Sequence, residues 1–118
     1  INMKIAFDHT IFLIQKYGGI SRYFIEVQNN LYKKHNTKIF CPIHLNEFIK
    51  KNSFNNLSLL KINKIPKYNS RLLNYFNYKF NDYYFSFWKP DIIHKTYYNE
   101  FDYNFKKAKK ILNVWDLS

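Results

Sequence analysis

Cysteine is nearly absent: Cys41 stands alone, so no internal disulfide can form. It follows Ile39 and Phe40 in an apolar run, where a thiol serves as a small buried hydrophobe. The missing disulfide framework fits a reducing compartment. Glycine is nearly as scarce. Its two copies, Gly18 and Gly19, are adjacent. Neither G-x-G-x-x-G nor a P-loop can therefore be written, and dinucleotide and ordinary NTP chemistry lose support. Arginine is limited to Arg22 and Arg71. Dedicated nucleic-acid readers lean on arginine forks, so sequence-specific nucleic-acid recognition is not expected. No run approaches the ~18 apolar residues of a membrane span. The apolar start Ile5–Phe7 is broken by Asp8 and His9, so no secretory leader is expected. His9, His35, His44 and His94 are scattered without ligand spacing, and no metal site is expected.

Aromatic and basic residues are plentiful. Aromatics make up 21% of the 118 residues, and the formal net charge is +11. Lys, Asn, Ile, Phe and Tyr supply 70 of those residues, the bias expected of an AT-rich genome. Much of the charge is therefore read as a diffuse solvated surface. The remainder would suit an anionic membrane or nucleic acid.

The apolar spacing alternates between strand and helix. Met3–Phe7 reads as a buried strand and Asp8–Gly18 as a loop. From Gly18-Gly19, the residues Ile20, Phe24, Val27 and Leu31 recur at helical intervals, with a basic last turn over Tyr32–Asn36. Thr37–Cys41 is a second strand stopped by Pro42. His44–Lys51 reads as a short helix and Leu57–Ile62 as a third strand. Ser70 is the expected N-cap of a long aromatic helix, Arg71–Trp88, closed by Lys89-Pro90. Asp91–His94 is a fourth strand, Phe101–Lys109 a short helix and Ile111–Val114 a fifth strand.

Such alternation predicts an α/β, Rossmann-like, doubly wound parallel sheet of about five strands with helices on both faces. The expected order is 3-2-1-4-5, with a ligand crevice at the carboxyl ends of strands one and four. Gly18-Gly19 at a strand-to-helix bend permits either a close phosphate approach or simply a tight turn. His94, at the end of strand four, suits a sugar hydroxyl, a phosphate or a loop cap. Asp8 can orient the glycine loop or cap a turn.

Several segments together resemble family 4 glycosyltransferases of the GT-B fold. They are Asp8-His9-Thr10-Ile11-Phe12, Gln15 through Phe24 (with Tyr-Gly-Gly-Ile-Ser-Arg-Tyr-Phe at its core), His44 through Phe48, and Lys89 through His94 with Thr96-Tyr97-Tyr98. Val114-Trp115-Asp116-Leu117 stands where such proteins carry a Val-His-Asp-type segment, with Trp115 in place of the histidine. The resemblance implies one incomplete acceptor-side domain over residues 1–118, with the donor-binding domain supplied elsewhere and no activity alone. It implies retaining transfer from a nucleotide-sugar co-substrate to a surface-glycan or lipid-linked acceptor, with no further cofactor and no metal. Gly18 and Gly19 would face the donor diphosphate. His94 and Asp116 would be catalytic, and Tyr97 and Arg22 would lie on the acceptor side. The expected location is cytoplasmic, at the inner face of the membrane, with self-association as a further expectation. The alternatives are a basic module for anionic membrane or nucleic acid, and a non-catalytic Rossmann-like scaffold.

Overall fold

The computed structural model describes residues 3–31, 34–49, 56–64, 70–99 and 101–112. Strand β1 (Lys4–Phe7) is followed by helices α1 (Thr10–Ile14) and α2 (Gly19–Leu31). Then come β2 (Asn36–Phe40), β3 (Ile43–His44), β4 (Asn56–Leu57) and β5 (Leu60–Lys61). Helix α3 (Ser70–Trp88) precedes β6 (Ile92–Lys95) and β7 (Lys109–Leu112).

The main sheet is parallel, in the order β4-β2-β1-β6-β7. Counting only its own strands, this is the expected 3-2-1-4-5. The order reverses at β1, where β2 lies on one side and β6 on the other. That reversal leaves room for a crevice beyond the carboxyl ends of β1 and β6.

Period-two alternation assigns each strand residue to a face. Ile5, Phe7, Ile39 and Cys41 join Phe24 of α2 in one core cluster, together with Ile11 and Phe12 of α1. Ala6, Phe40 and Ile93 join Tyr78 and Phe85 of α3 in the other, with Tyr103. The sheet is thus covered on both faces, and the doubly wound α/β fold is observed. Phe7, Phe12, Phe24, Phe40 and Phe85 are all fully buried. Each contributes up to ~3 kcal/mol by leaving water.

Helix α3 turns Asn77, Tyr78, Asn81 and Phe85 inward. The asparagines have backbone partners: Asn77 accepts from the Ile43 amide at 2.8 Å and donates to the Ile43 carbonyl at 2.9 Å. Asn81 donates to the Phe40 carbonyl at 3.0 Å. Lys89 ends the helix in the left-handed region at φ 55°, and Pro90 prevents its resumption.

Several segments differ from the sequence reading, and Asn36, expected in the last turn of the helix, opens β2 instead. Asp8–Gly18 is not all loop, because Ile11, Phe12 and Leu13 bury as one short helix, too brief to show a period. No helix forms over residues 44–49. Instead Ile43–His44 pairs with Leu60–Lys61 as a separate two-stranded sheet, and Asn46 accepts from the Phe48 amide at 2.8 Å in a turn. The third strand is split, Asn56–Leu57 joining the main sheet and Leu60–Lys61 the small one. Residues 101–108 form no helix, because Asp102 and Asn99 take the Tyr103 and Phe101 amides in local turns. Ser70 is already within α3 rather than before it. The expected strand end at Asn113–Val114 and residues 32–33, 50 and 51 of the expected helices lie outside the described residues.

Candidate functional site

The carboxyl end of β1 leads directly into Asp8, His9 and Thr10, all buried. Asp8 faces only donors. Its Oδ1 accepts from the Thr96 amide at 2.8 Å and the Thr96 hydroxyl at 2.7 Å. Its Oδ2 accepts from the Thr10 hydroxyl at 2.9 Å and, more distantly, from the Tyr103 hydroxyl at 3.4 Å. Thr96 Oγ1 in turn accepts from the Ile11 amide at 3.0 Å. One carboxylate therefore joins the start of α1, the segment after β6 and Tyr103. It does not bind the Gly18-Gly19 loop, so of the two readings of Asp8 the turn cap is the one observed. Burial, with the Asp8 charge beside it, pushes the Tyr103 phenol well above its ordinary range.

Above this anchor lies an open cleft of about 440 Å³. Thr10 from α1, Arg71 and Asn74 from the first turns of α3, and Tyr98 and Asn99 after β6 line it. It occupies the crevice beyond β1 and β6 that the strand order provides. Asn74 and Asn99 pair reciprocally across it, amide to carbonyl, at 3.1 and 2.9 Å. Asn99 also donates to Thr10 Oγ1 at 3.0 Å.

His9 lies beneath this pair. Its Nε2 is 2.6 Å from Asn74 Oδ1, and its Nδ1 is 3.3 Å from Asn81 Nδ2. The two contacts are consistent with one neutral tautomer: Nδ1 accepts from Asn81 and Nε2–H donates to Asn74. Burial lowers the His9 pKa, opposed by the Asp8 charge and the Asn74 hydrogen bond. The imidazole therefore fixes which end of the Asn74 amide is oxygen. The resulting rim sets neutral amides and hydroxyls beside the apolar Leu13 and Ile14, with Arg71 and the half-exposed Tyr98 ring at its edge. Such a lining can hydrogen-bond a neutral polyhydroxylated molecule and stack on one face of it.

The residues singled out from sequence lie elsewhere on the rim. His94 points to the α2 face, its ring 5.4 Å from Phe7 and 5.1 Å from Phe24. Tyr97 packs against the same core cluster. Gly18 and Gly19 open α2, as the sequence predicted, but neither has a positive φ. Gln15 folds over Gly18 and accepts from the Ser21 amide at 3.2 Å, capping the helix from outside. Gly19 faces open space. Arg22 is exposed and pairs with Glu26 one turn on, at 3.5 Å. None of these five lines the cleft, and Asp116 lies outside the described residues.

Sequence reasoning missed His9, Asn74, Asn81 and Asn99 as one network. A signal was present. Asn74, Asn77 and Asn81 recur at helical spacing inside a long helix, where asparagine is a poor former. Such residues stay where their side chains have fixed partners.

Among the described residues no cluster of three or more His, Cys, Asp or Glu could hold a metal ion. No helix among them is long and apolar enough to cross a membrane. Comparison of the chain with protein-family models, curated proteins and solved structures finds no match.

Proposed function

We propose that the chain is the acceptor-side domain of a nucleotide-sugar-dependent glycosyltransferase, and that the crevice beyond β1 and β6 holds the acceptor glycan. The observation that carries this reading is an open cleft at the switch point of the sheet, where neutral amides and hydroxyls stand beside the apolar faces of Leu13, Ile14 and Tyr98. Thr10, Asn74 and Asn99 present uncharged polar groups held in place by one another and by His9, and Leu13, Ile14 and the Tyr98 ring present apolar faces. Carbohydrate hydroxyls are satisfied by such groups, and pyranose faces stack on aromatic rings. The doubly wound sheet supports the reading because ligands of such sheets bind at the switch point. The sequence resemblance supports it independently, on Asp8 through Phe12 and Gln15 through Phe24.

In this reading the nucleotide-sugar is held by a second Rossmann-like domain that closes over the crevice. The two leading amides of α2, at Gly19 and Ile20, have no acceptor among the described residues. They are available to the donor diphosphate when that domain closes. Asp8 and His9 do not touch substrate. They fix Thr10, Asn74 and Asn99 in place before the acceptor arrives, which removes part of the ordering cost of binding.

The test is a titration of the isotope-labelled 118-residue chain, followed by amide chemical shifts. Neutral oligosaccharides should perturb Thr10, Asn74, Tyr98 and Asn99, with dissociation constants on the order of millimolar. Nucleotide-sugars alone should bind weakly. Tight nucleotide-sugar binding by this chain, or saccharide shifts confined to another surface, overturns the assignment.

A further inference from the structure

The outward face of α3 is apolar, where a surface helix is ordinarily polar. Leu72, Phe76, Tyr83 and Phe87 are 64%, 47%, 62% and 66% exposed. Their spacing places all four on one stripe, away from the inward Asn77, Asn81 and Phe85. Phe76, Tyr83 and Phe87 of this stripe line, with Phe80 and Tyr84, a groove of about 690 Å³. Contiguous exposed aromatics of this kind mark a surface that something else covers.

The charge around the groove identifies the covering partner. Lys79 lies in the groove itself. Exposed Lys106 and Lys107 share an adjoining cleft with Tyr83. On the other flank, Lys38 Nζ stands 6.0 Å from the Tyr84 ring. Asp82, the acid beside them, is occupied by the Asn104 amide and side chain at 2.7 and 3.1 Å.

We propose that this face of α3 docks on an anionic lipid bilayer. The helix lies in the interfacial plane, with Phe76, Tyr83 and Phe87 among the headgroups and Lys79, Lys106 and Lys107 against lipid phosphates. An apolar stripe flanked by lysines is the pattern of a helix that lies on a membrane rather than across it. Aromatic rings favour that depth, and lysines there are drawn by the surface potential. A second copy of the chain fits the groove poorly, because it brings a further net charge of +11. The proposal does not depend on the sugar-transfer reading, because none of the three aromatic residues lines the crevice.

The test is co-sedimentation of the 118-residue chain with phosphatidylcholine vesicles, with and without phosphatidylglycerol. Binding should appear only with the anionic lipid and should vanish at high salt, where screening shortens to about 3 Å. Each lysine near such a surface multiplies partitioning about fivefold, so Lys79→Glu, Lys106→Glu and Lys107→Glu together should lower it at least ~100-fold. Phe76→Ser, Tyr83→Ser and Phe87→Ser together should lower it at least ~10-fold, by removing apolar contact. These positions are exposed, and circular dichroism of both variants should match the parent. In the unaltered chain, brominated lipids should quench tyrosine fluorescence. Equal binding to neutral vesicles overturns the proposal, as does binding that neither triple variant weakens. It is also overturned if the same residues prove to hold single-stranded oligonucleotide more tightly than lipid, or to drive dimerisation in size-exclusion chromatography.

Discussion

Asp8→Asn is the substitution that bears most directly on this architecture. It preserves the shape of the side chain but replaces one acceptor oxygen with a donor. If the new NH₂ group took the place of Oδ1, it would meet the Thr96 amide, now 2.8 Å away, which cannot rotate. The variant should therefore turn the NH₂ toward Thr10 and Tyr103, whose hydroxyls now lie 2.9 and 3.4 Å from Oδ2. Those hydroxyls can rotate, but they lose a charged acceptor, and hydrogen bonds to charged groups contribute ~1.5–3 kcal/mol each. Rotation recovers part of this, so the net destabilisation should be about 2–4 kcal/mol. A domain of this size is stable by roughly 5–15 kcal/mol, so the loss is large. Urea unfolding followed by circular dichroism should show an unchanged slope and a midpoint lowered by about 1–2 M. Thr96→Val removes the facing hydroxyl, and a double-mutant cycle with Asp8→Asn should give a coupling of at least about 1 kcal/mol. A midpoint shift worth less than about 0.5 kcal/mol would refute the claim that this carboxylate ties α1 to the segment after β6.

Three further outcomes are expected. Burial holds His9 neutral, and burial with the Lys61 charge brings the His44 pKa down to about 4, its Nδ1 accepting the Asn46 amide at 3.1 Å. Both values are lowered on folding, so the unfolded chain binds more protons in acid. Stability should be full above pH 6.5 and fall as pH drops from there toward about 4. The slope is ~1.4 kcal/mol per pH unit for each histidine at its steepest, and flat urea midpoints between pH 7.5 and 5 would contradict it. Lys89→Gly should stabilise by about 1 kcal/mol, because glycine accepts the left-handed φ of 55° without the Cβ clash; a lower melting temperature would count against this. Gly18→Ala should displace the Gln15 cap and destabilise by about 1 kcal/mol, whereas Gly19→Ala has open space and should stabilise by about 0.5 kcal/mol. Thermal unfolding of the two variants in opposite directions is the check, and equal shifts would refute it.

Gly18 illustrates how a motif was legible while its physical reason was not. The sequence placed the glycine pair at the head of a helix, and α2 begins there. From sequence alone, the pair permits a tight turn or a close phosphate approach. Neither glycine has a positive φ, and Gly18 instead makes room for Gln15. His94 shows the same division. Its position near the end of β6 follows from the apolar pair Ile92-Ile93, but its packing on Phe24 depends on where α2 crosses the sheet. The small parallel sheet of Ile43–His44 and Leu60–Lys61 carried no sequence signal, because two-residue strands have no period.

The sequence by itself determined helices α2 and α3, the parallel sheet and its order. Apolar spacing is a local property, and short connections between alternating elements leave few topologies. Only the tertiary structure decided which polar residues meet. Asp8 joins Thr96 across 88 positions, and His9 joins Asn81 across 72. Such contacts arise when the carboxyl ends of β1 and β6 come together against α3. Buried polar groups must then find partners at whatever sequence distance the fold brings close.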